Sequence, residues 1–173
     1  MWSCYKGNNC HTSCVCGSPA LKGSLLWSYD TGEKINASPV IINNTLYIVT
    51  EEGTLYVLTG DKGNLLWKYK DSYEDKSMVK KNPPLVTDDT VYFTGKNGNI
   101  YALSSENGEI KWTYETGSII DSSPAICEDV LYTGTVDGTI YAIDMVRGEK
   151  KWSFQAGGIC ASSPVIYGGM LFI

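Results

Sequence analysis

Four of the six cysteines fall within the first sixteen residues, at Cys4, Cys10, Cys14 and Cys16, and the single histidine, His11, lies among them. Thiolates and an imidazole are the donors of zinc and iron–sulfur centres, so metal binding is the first chemistry to weigh. The spacing C-x5-C-x3-C-x-C lacks the paired C-x2-C knuckles that make such a site geometrically easy. An even cluster in a Gly/Asn/Ser-rich segment reads more simply as two disulfides formed in an oxidising compartment, or as free thiols. Cys127 and Cys160 stand apart, in strand-like contexts, and read as small buried hydrophobes.

The rest of the chain offers no catalytic constellation. With His11 the sole histidine, a Ser-His-Asp site or a multi-histidine metal centre has no partner beyond the amino-terminal segment. Gly60-x-x-Gly63 and its equivalents resemble phosphate loops in composition, yet they join strand-like runs and no helix amino-terminus follows them. Asp121, Asp129, Asp137 and Asp144 fall at turn or motif positions where a local structural role explains them. The expectation is therefore no catalytic and no cofactor-binding residue, with Cys4, Cys10, His11, Cys14 and Cys16 as the alternative metal set.

The elements that hold these residues are set by a repeat. Trp27, Trp67, Trp112 and Trp152 recur at a nearly constant interval, with a glycine four positions ahead of each: Gly23, Gly63, Gly108 and Gly148. Three further signatures recur in phase. An aromatic residue and then a glycine follow three of the tryptophans, as in Trp27 to Gly32, Trp112 to Gly117 and Trp152 to Gly157. A Ser-Pro motif comes next, in Ala37-Ser38-Pro39-Val40, Ser122-Ser123-Pro124-Ala125 and Ser162-Ser163-Pro164-Val165. A strand-like phrase closes the unit, at Gly53 to Leu58, Gly98 to Leu103 and Gly138 to Ile143. Periodicity of this kind means units that stabilise one another rather than folding singly.

The second unit departs from the pattern. After Trp67 and Tyr69 comes the charged run Lys70-Asp71-Ser72-Tyr73-Glu74-Asp75-Lys76 in place of a glycine, and Asn82-Pro83-Pro84 replaces Ser-Pro. The interval from Trp67 to Trp112 is five positions longer than the other two, and the excess falls in this stretch. It predicts a longer solvated surface turn, with a functional loop on a binding face as the alternative.

Within a unit, short runs rich in Val, Ile, Leu and Tyr occupy Pro39 to Ile42, Leu46 to Val49, Leu55 to Leu58 and Leu65 to Tyr69. Asn43-Asn44, Glu51-Glu52-Gly53 and Gly60-Asp61-Lys62-Gly63 separate them, and Gly, Asn and Asp tolerate the positive φ of tight turns. Four strands and four short connections fill roughly forty positions. No segment sustains a helical period. The chain therefore predicts an all-β fold, with a β-propeller of four-stranded antiparallel blades the best match to this repeat. A Cys-rich irregular segment over 1–20 precedes the repeats over 21–173.

Ala142-x-Asp144-x-x-x-Gly148-x-x-x-Trp152 resembles the tryptophan docking motif of the quinoprotein alcohol-dehydrogenase-like, or PQQ-like repeat, β-propellers. Ala102-x-Ser104-x-x-Asn107-Gly108-x-x-x-Trp112 fits with Ser in place of the usual Asp, and Val57-x-Thr59-x-x-x-Gly63-x-x-x-Trp67 fits more loosely. The resemblance covers about residues 21 to 173. It implies that each indole docks between neighbouring blades, that the alanine keeps the adjacent strand close, and that the glycine makes the turn. It also implies rings of seven or eight blades, of which this chain holds about four, the last incomplete, as a partial ring or half of an eight-bladed one. The named enzymes of the superfamily oxidise alcohols with pyrroloquinoline quinone and calcium, using Glu and Asn oxygens, an aspartate base, a stacking tryptophan and commonly a vicinal disulfide. None of these can be placed here: no Cys-Cys pair occurs, and the only aperiodic tryptophan is Trp2.

The chain stops at Met170-Leu171-Phe172-Ile173, which by register lies inside a strand, so an open blade face is expected and self-association through it with it. A net charge of -5, with 14 Lys+Arg against 19 Asp+Glu, argues against nucleic acid. No run of eighteen apolar residues marks a membrane span, and no basic-then-apolar start marks a signal peptide. The compartment expected is cytoplasmic, or periplasmic or cell-surface if a leader has been removed. Together these readings predict a non-catalytic scaffold for protein–protein interaction or assembly. The alternative is a fragment or relative of a pyrroloquinoline-quinone-dependent alcohol dehydrogenase.

Overall fold

The computed structural model describes residues 25–35, 37–71, 82–95 and 97–173. Every regular element among them is a β-strand. The first sheet comprises β1 (Val40–Ile42), β2 (Thr45–Val49), β3 (Thr54–Thr59) and β4 (Leu65–Lys70), paired antiparallel in that order. The second comprises β5 (Leu85–Val86), β6 (Thr90–Thr94), β7 (Asn99–Ser104) and β8 (Ile110–Glu115), and the third β9 (Ala125–Cys127), β10 (Val130–Gly134), β11 (Thr139–Asp144) and β12 (Lys150–Gln155). A pair, β13 (Val165–Tyr167) and β14 (Met170–Phe172), repeats the inner half of the same unit.

Local chemistry explains each hairpin. Asn43 and Asn44 adopt φ of 47° and 60°, which lets a two-residue turn join β1 to β2 with the twist the strands require. The alternation expected of strands exposed on one side is absent in the middle of the blades. All five residues of β6, and five of the six in β3, are buried because both faces of these sheets are covered.

What covers them is the next sheet. One apolar cluster joins Val40, Val49, Leu55, Val57 and Trp67 of the first sheet to Val86, Val91, Phe93 and Leu103 of the second. Another joins Leu85, Tyr92, Ile100 and Ala102 of the second to Ile126, Leu131 and Ile143 of the third. The cores thus lie between units rather than within them, as stacked repeats require. The short strands that open the units lie beside one another, β1 by β5 and β9 by β13, at the inner side of the arc.

Two expectations need revision. Asp71 belongs to the charged run read as a solvated turn, yet it is only 5% exposed, because Tyr101 and Gly95 of the second sheet enclose its carboxylate. Cys160 is buried in the connection after β12 rather than in a strand. Residues 72–81, which hold the rest of that run, and the amino-terminal residues Cys4, Cys10, His11, Cys14 and Cys16 lie outside the described residues.

Candidate interaction surface

Each unit hands a tryptophan to the next. The Nε1–H of Trp27 donates to the Gly60 carbonyl at 2.9 Å, that of Trp67 to Ser105 at 3.1 Å, and that of Trp112 to Met145 at 3.1 Å. Each acceptor stands seven positions before the following tryptophan. The ring then lies over the following glycine. An ideal Cβ on Gly63 would overlap the Trp27 indole, and one on Gly108 or Gly148 would stand 2.6 or 2.5 Å from the indole of Trp67 or Trp112. These glycines also hold φ of 68°, 75° and 71°, so they serve the turn and the close approach together.

A repeated bulge aims the indoles. In all three sheets the register shifts where the outermost strand approaches its tryptophan, between Val57 and Leu58, Ala102 and Leu103, and Ala142 and Ile143. Two residues then face one, which turns the strand and the tryptophan after it towards the neighbouring sheet. Ala102 and Ala142 pair directly with Trp112 and Trp152, and Val57 with Trp67.

A second clasp closes the opposite end of each contact. Tyr56 and Tyr141 donate their hydroxyls to the carbonyls of Thr31 and Thr116, and Tyr101 donates to the Asp71 carboxylate at 3.0 Å. The sequence carried the signal, since tyrosine stands three positions after glycine in all three strand phrases, but a strand reading alone assigns it no partner. Burial raises the pKa of all three phenols above the ordinary value, so they remain donors.

The second contact also exchanges two residues at once. Gly95 stands where the other sheets have Thr50 and Thr135, and Asp71 stands where the preceding outer strands end in Thr31 and Thr116. An ideal Cβ on Gly95 would collide with Asp71 Oδ2. The carboxylate therefore occupies space that a threonine side chain fills elsewhere. Its Oδ2 has no hydrogen-bond partner among the described residues.

Of the aspartates expected at turn or motif positions, Asp129 and Asp137 sit in turns and Asp144 ends β11. Asp137 accepts from the Thr135 hydroxyl at 2.6 Å and the Thr139 amide at 3.1 Å, and these bonds hold its pKa below the ordinary carboxylate value. Asp144 accepts from the amides of Arg147 and Val146, with its pKa lowered in consequence, and lies 3.4 Å from Lys151. Asp129 offers its carbonyl to the Met145 amide. Asp121 differs, with a buried Oδ1 that lacks a hydrogen-bond partner among the described residues. Cys127 and Cys160 are free thiols, half-buried and buried. Among the described residues no three His, Cys, Asp or Glu side chains gather at one point, so they supply no carboxylate cluster for the calcium that accompanies a quinone.

Among the described residues, none covers the face that follows the third sheet in this way. Trp152 is 42% exposed where Trp67 is 9% exposed, and β12 is exposed along its length. Phe154, Ile159, Val165, Tyr167, Met170 and Phe172 extend the same apolar region over β12, the connection and the β13–β14 pair. At the other end of the arc, Leu25 and Leu26 are 84% and 82% exposed. The molecule thus presents apolar surface of the type that blades bury against blades.

The sequence matches the family described as outer membrane protein assembly factor BamB over residues 15–119 and again over 77–173. No curated protein matches the chain. Among solved structures, BamB from Moraxella catarrhalis is similar with 23% identity and a TM-score of 0.71, over 86% of this chain and 46% of that one. Quinohemoprotein alcohol dehydrogenase from Comamonas testosteroni is similar with 20% identity and a TM-score of 0.75, over 88% of this chain and 27% of the other. The computationally designed Ika4 protein matches with 19% identity and a TM-score of 0.73, over 87% of this chain and 91% of its own. The chain therefore spans about half the length of the first and about a quarter of the second, and these likenesses show the β-propeller fold. With its repeats matched from residue 15 to residue 173, the chain belongs to the BamB family of PQQ-like repeat β-propellers.

Proposed function

We propose that the chain is a non-catalytic propeller scaffold that binds protein through its open blade faces. The observation that carries this reading is the uncovered apolar region around Trp152, Tyr167 and Phe172, set on strands that repeat the docking surface of the other blades. Free strand edges and exposed apolar pockets are the means by which sheets take on extended partners. The family match supports an assembly role, and the likeness to BamB, itself an assembly factor by name, points the same way.

A photo-crosslinking residue placed at Tyr167, which is 77% exposed, tests it. The expected result is a protein adduct at Tyr167 and none at a control position such as Glu106, on an exposed turn. Equal or absent labelling at both positions overturns the reading. The likeness to a quinohemoprotein alcohol dehydrogenase sustains a second reading, a relative of the quinone-dependent enzymes. Pyrroloquinoline quinone added with calcium should leave the protein without a co-eluting chromophore; a stoichiometric chromophore would favour this second reading.

A further inference from the structure

One corner of the blade contact occurs three times, and its middle copy lacks a donor. In the third sheet the Thr135 hydroxyl donates to Asp137 Oδ1 at 2.6 Å, and in the first the Thr50 hydroxyl donates to the Glu33 carboxylate. Gly95 holds the same position in the second sheet, so no hydroxyl is offered there. The acceptors remain. An ideal Cβ on Gly95 would collide with Asp71 Oδ2 and stand 2.7 Å from Asn97 Oδ1, so an oxygen from each side of the contact lies over one point.

The donors nearby are already committed. The Tyr101 hydroxyl gives its one proton to Asp71 Oδ1 at 3.0 Å and receives the Asn97 Nδ2–H at 2.9 Å. The Asn99 amide donates to Asn97 Oδ1 at 2.9 Å, and these bonds together fix which way the Asn97 amide points. Asp71 is only 5% exposed, its Oδ2 is buried without a hydrogen-bond partner, and among the described residues no lysine or arginine forms an ion pair with it. A buried carboxylate with no compensating charge is costly. A bridging water would supply hydrogen bonds to both oxygens but no charge, whereas a cation supplies what both lack.

We propose that a hard cation of calcium's size binds in the contact between the first and second sheets, held by Asp71 Oδ2 and Asn97 Oδ1 and otherwise by water. The donors are a carboxylate and an amide oxygen, with no sulfur or imidazole among them, which selects against zinc and copper. Calcium accepts this mixture in flexible geometry, while magnesium demands a near-ideal octahedron that two oxygens fixed on different sheets do not provide. One carboxylate makes the site weak, with a dissociation constant of about 10⁻⁴–10⁻³ M. The ion takes the place of the threonine hydroxyl of the other contacts and joins two blades directly. It lies apart from the exposed face around Trp152, so it neither needs nor supports the scaffold reading.

Thermal unfolding of the full chain, stripped with chelator, dialysed and held at constant ionic strength with potassium chloride, tests the site. Calcium at about 10 mM should raise the midpoint by at least about 3 °C, and magnesium at the same concentration by less than about 1 °C. In Asp71→Asn the new Nδ2–H replaces Oδ2 and donates to Asn97 Oδ1, so this variant should fold without calcium at or above the wild-type midpoint and show no calcium shift. Asp137→Asn, which alters a carboxylate in an exposed turn, should keep the shift. Terbium as a calcium stand-in should give emission sensitised by the neighbouring tyrosines, displaced by calcium and lost in Asp71→Asn. A wild-type midpoint indifferent to calcium, an equal response to magnesium, or a shift or terbium signal that survives in Asp71→Asn overturns the proposal.

Discussion

The indole of Trp67 and the backbone of Gly108 define one contact between them. Trp67 buries nearly all of its area and donates to Ser105, so truncation removes both packing and a hydrogen bond. Trp67→Ala is expected to cost about 3–5 kcal/mol, the range for large aromatics in cores. At Gly108 a side chain meets the indole at 2.6 Å and the φ of 75° is one that β-branched residues avoid. Gly108→Val is expected to cost about 2–4 kcal/mol. Because both changes act on the same contact, the double variant should lose less than the sum. Urea titrations at one fixed protein concentration measure all three, and additive losses would show that the ring does not rest on that glycine.

At the scale of elements, the Asp71–Gly95 exchange lets two strands be tested as one unit. Gly95→Thr alone forces a side chain into Asp71 Oδ2 and should destabilise by about 1–3 kcal/mol. Asp71→Thr alone removes the acceptor of the Tyr101 hydroxyl and leaves the space beside Gly95 empty. Together they restore the residue pairing of the third sheet, where Thr135 and Thr116 both stand, so the double variant should recover stability with a coupling of about 1–3 kcal/mol. A coupling near zero, read from the four unfolding curves, would mean the second contact is not a rearranged copy of the others. Strands, turns and docking tryptophans were legible beforehand because each leaves a mark at fixed spacing: Asn43-Asn44 for a turn, Gly108 and Trp112 for a dock. The burial of Asp71 was not, because a carboxylate in a charged run carries the composition of a solvated loop. Its environment depends on Gly95, which belongs to the next sheet and lies too far along the chain for any local pattern to report. The tyrosine clasps needed coordinates to reveal their acceptors.

Across the whole molecule, pH acts through groups of two kinds that both favour the folded state near neutrality. Burial pushes the Tyr92 phenol up to about 12, and its hydroxyl donates to the Met145 carbonyl, the same oxygen that receives Trp112. A raised folded pKa means that the stabilisation is complete below the unfolded value near 10 and is lost as pH climbs towards 12. For Tyr92 alone that loss is on the order of 2 kcal/mol. Tyr47, Tyr69, Tyr101, Tyr114, Tyr132 and Tyr141 shift in the same direction through burial, so they add to it. The carboxylates act at the other limit. Asp89 is held low by Lys111 at 2.8 Å and Asp137 by Thr135, so their contribution is present above the unfolded value near 3.8 and disappears on acidification through the folded one. These two are exposed and contribute little each, which makes the acid limb shallow and the alkaline limb steep. Unfolding midpoints followed from pH 3 to pH 12 should therefore stay nearly flat from about pH 5 to 9 and fall sharply above about 10. Tyr92→Phe keeps the ring but removes the titrating hydroxyl. It should start about 1 kcal/mol less stable at pH 7 and lose less than the wild type above pH 10, so that the two curves converge. Curves that stay parallel to pH 12 would place the alkaline loss outside the contact between the second and third blades.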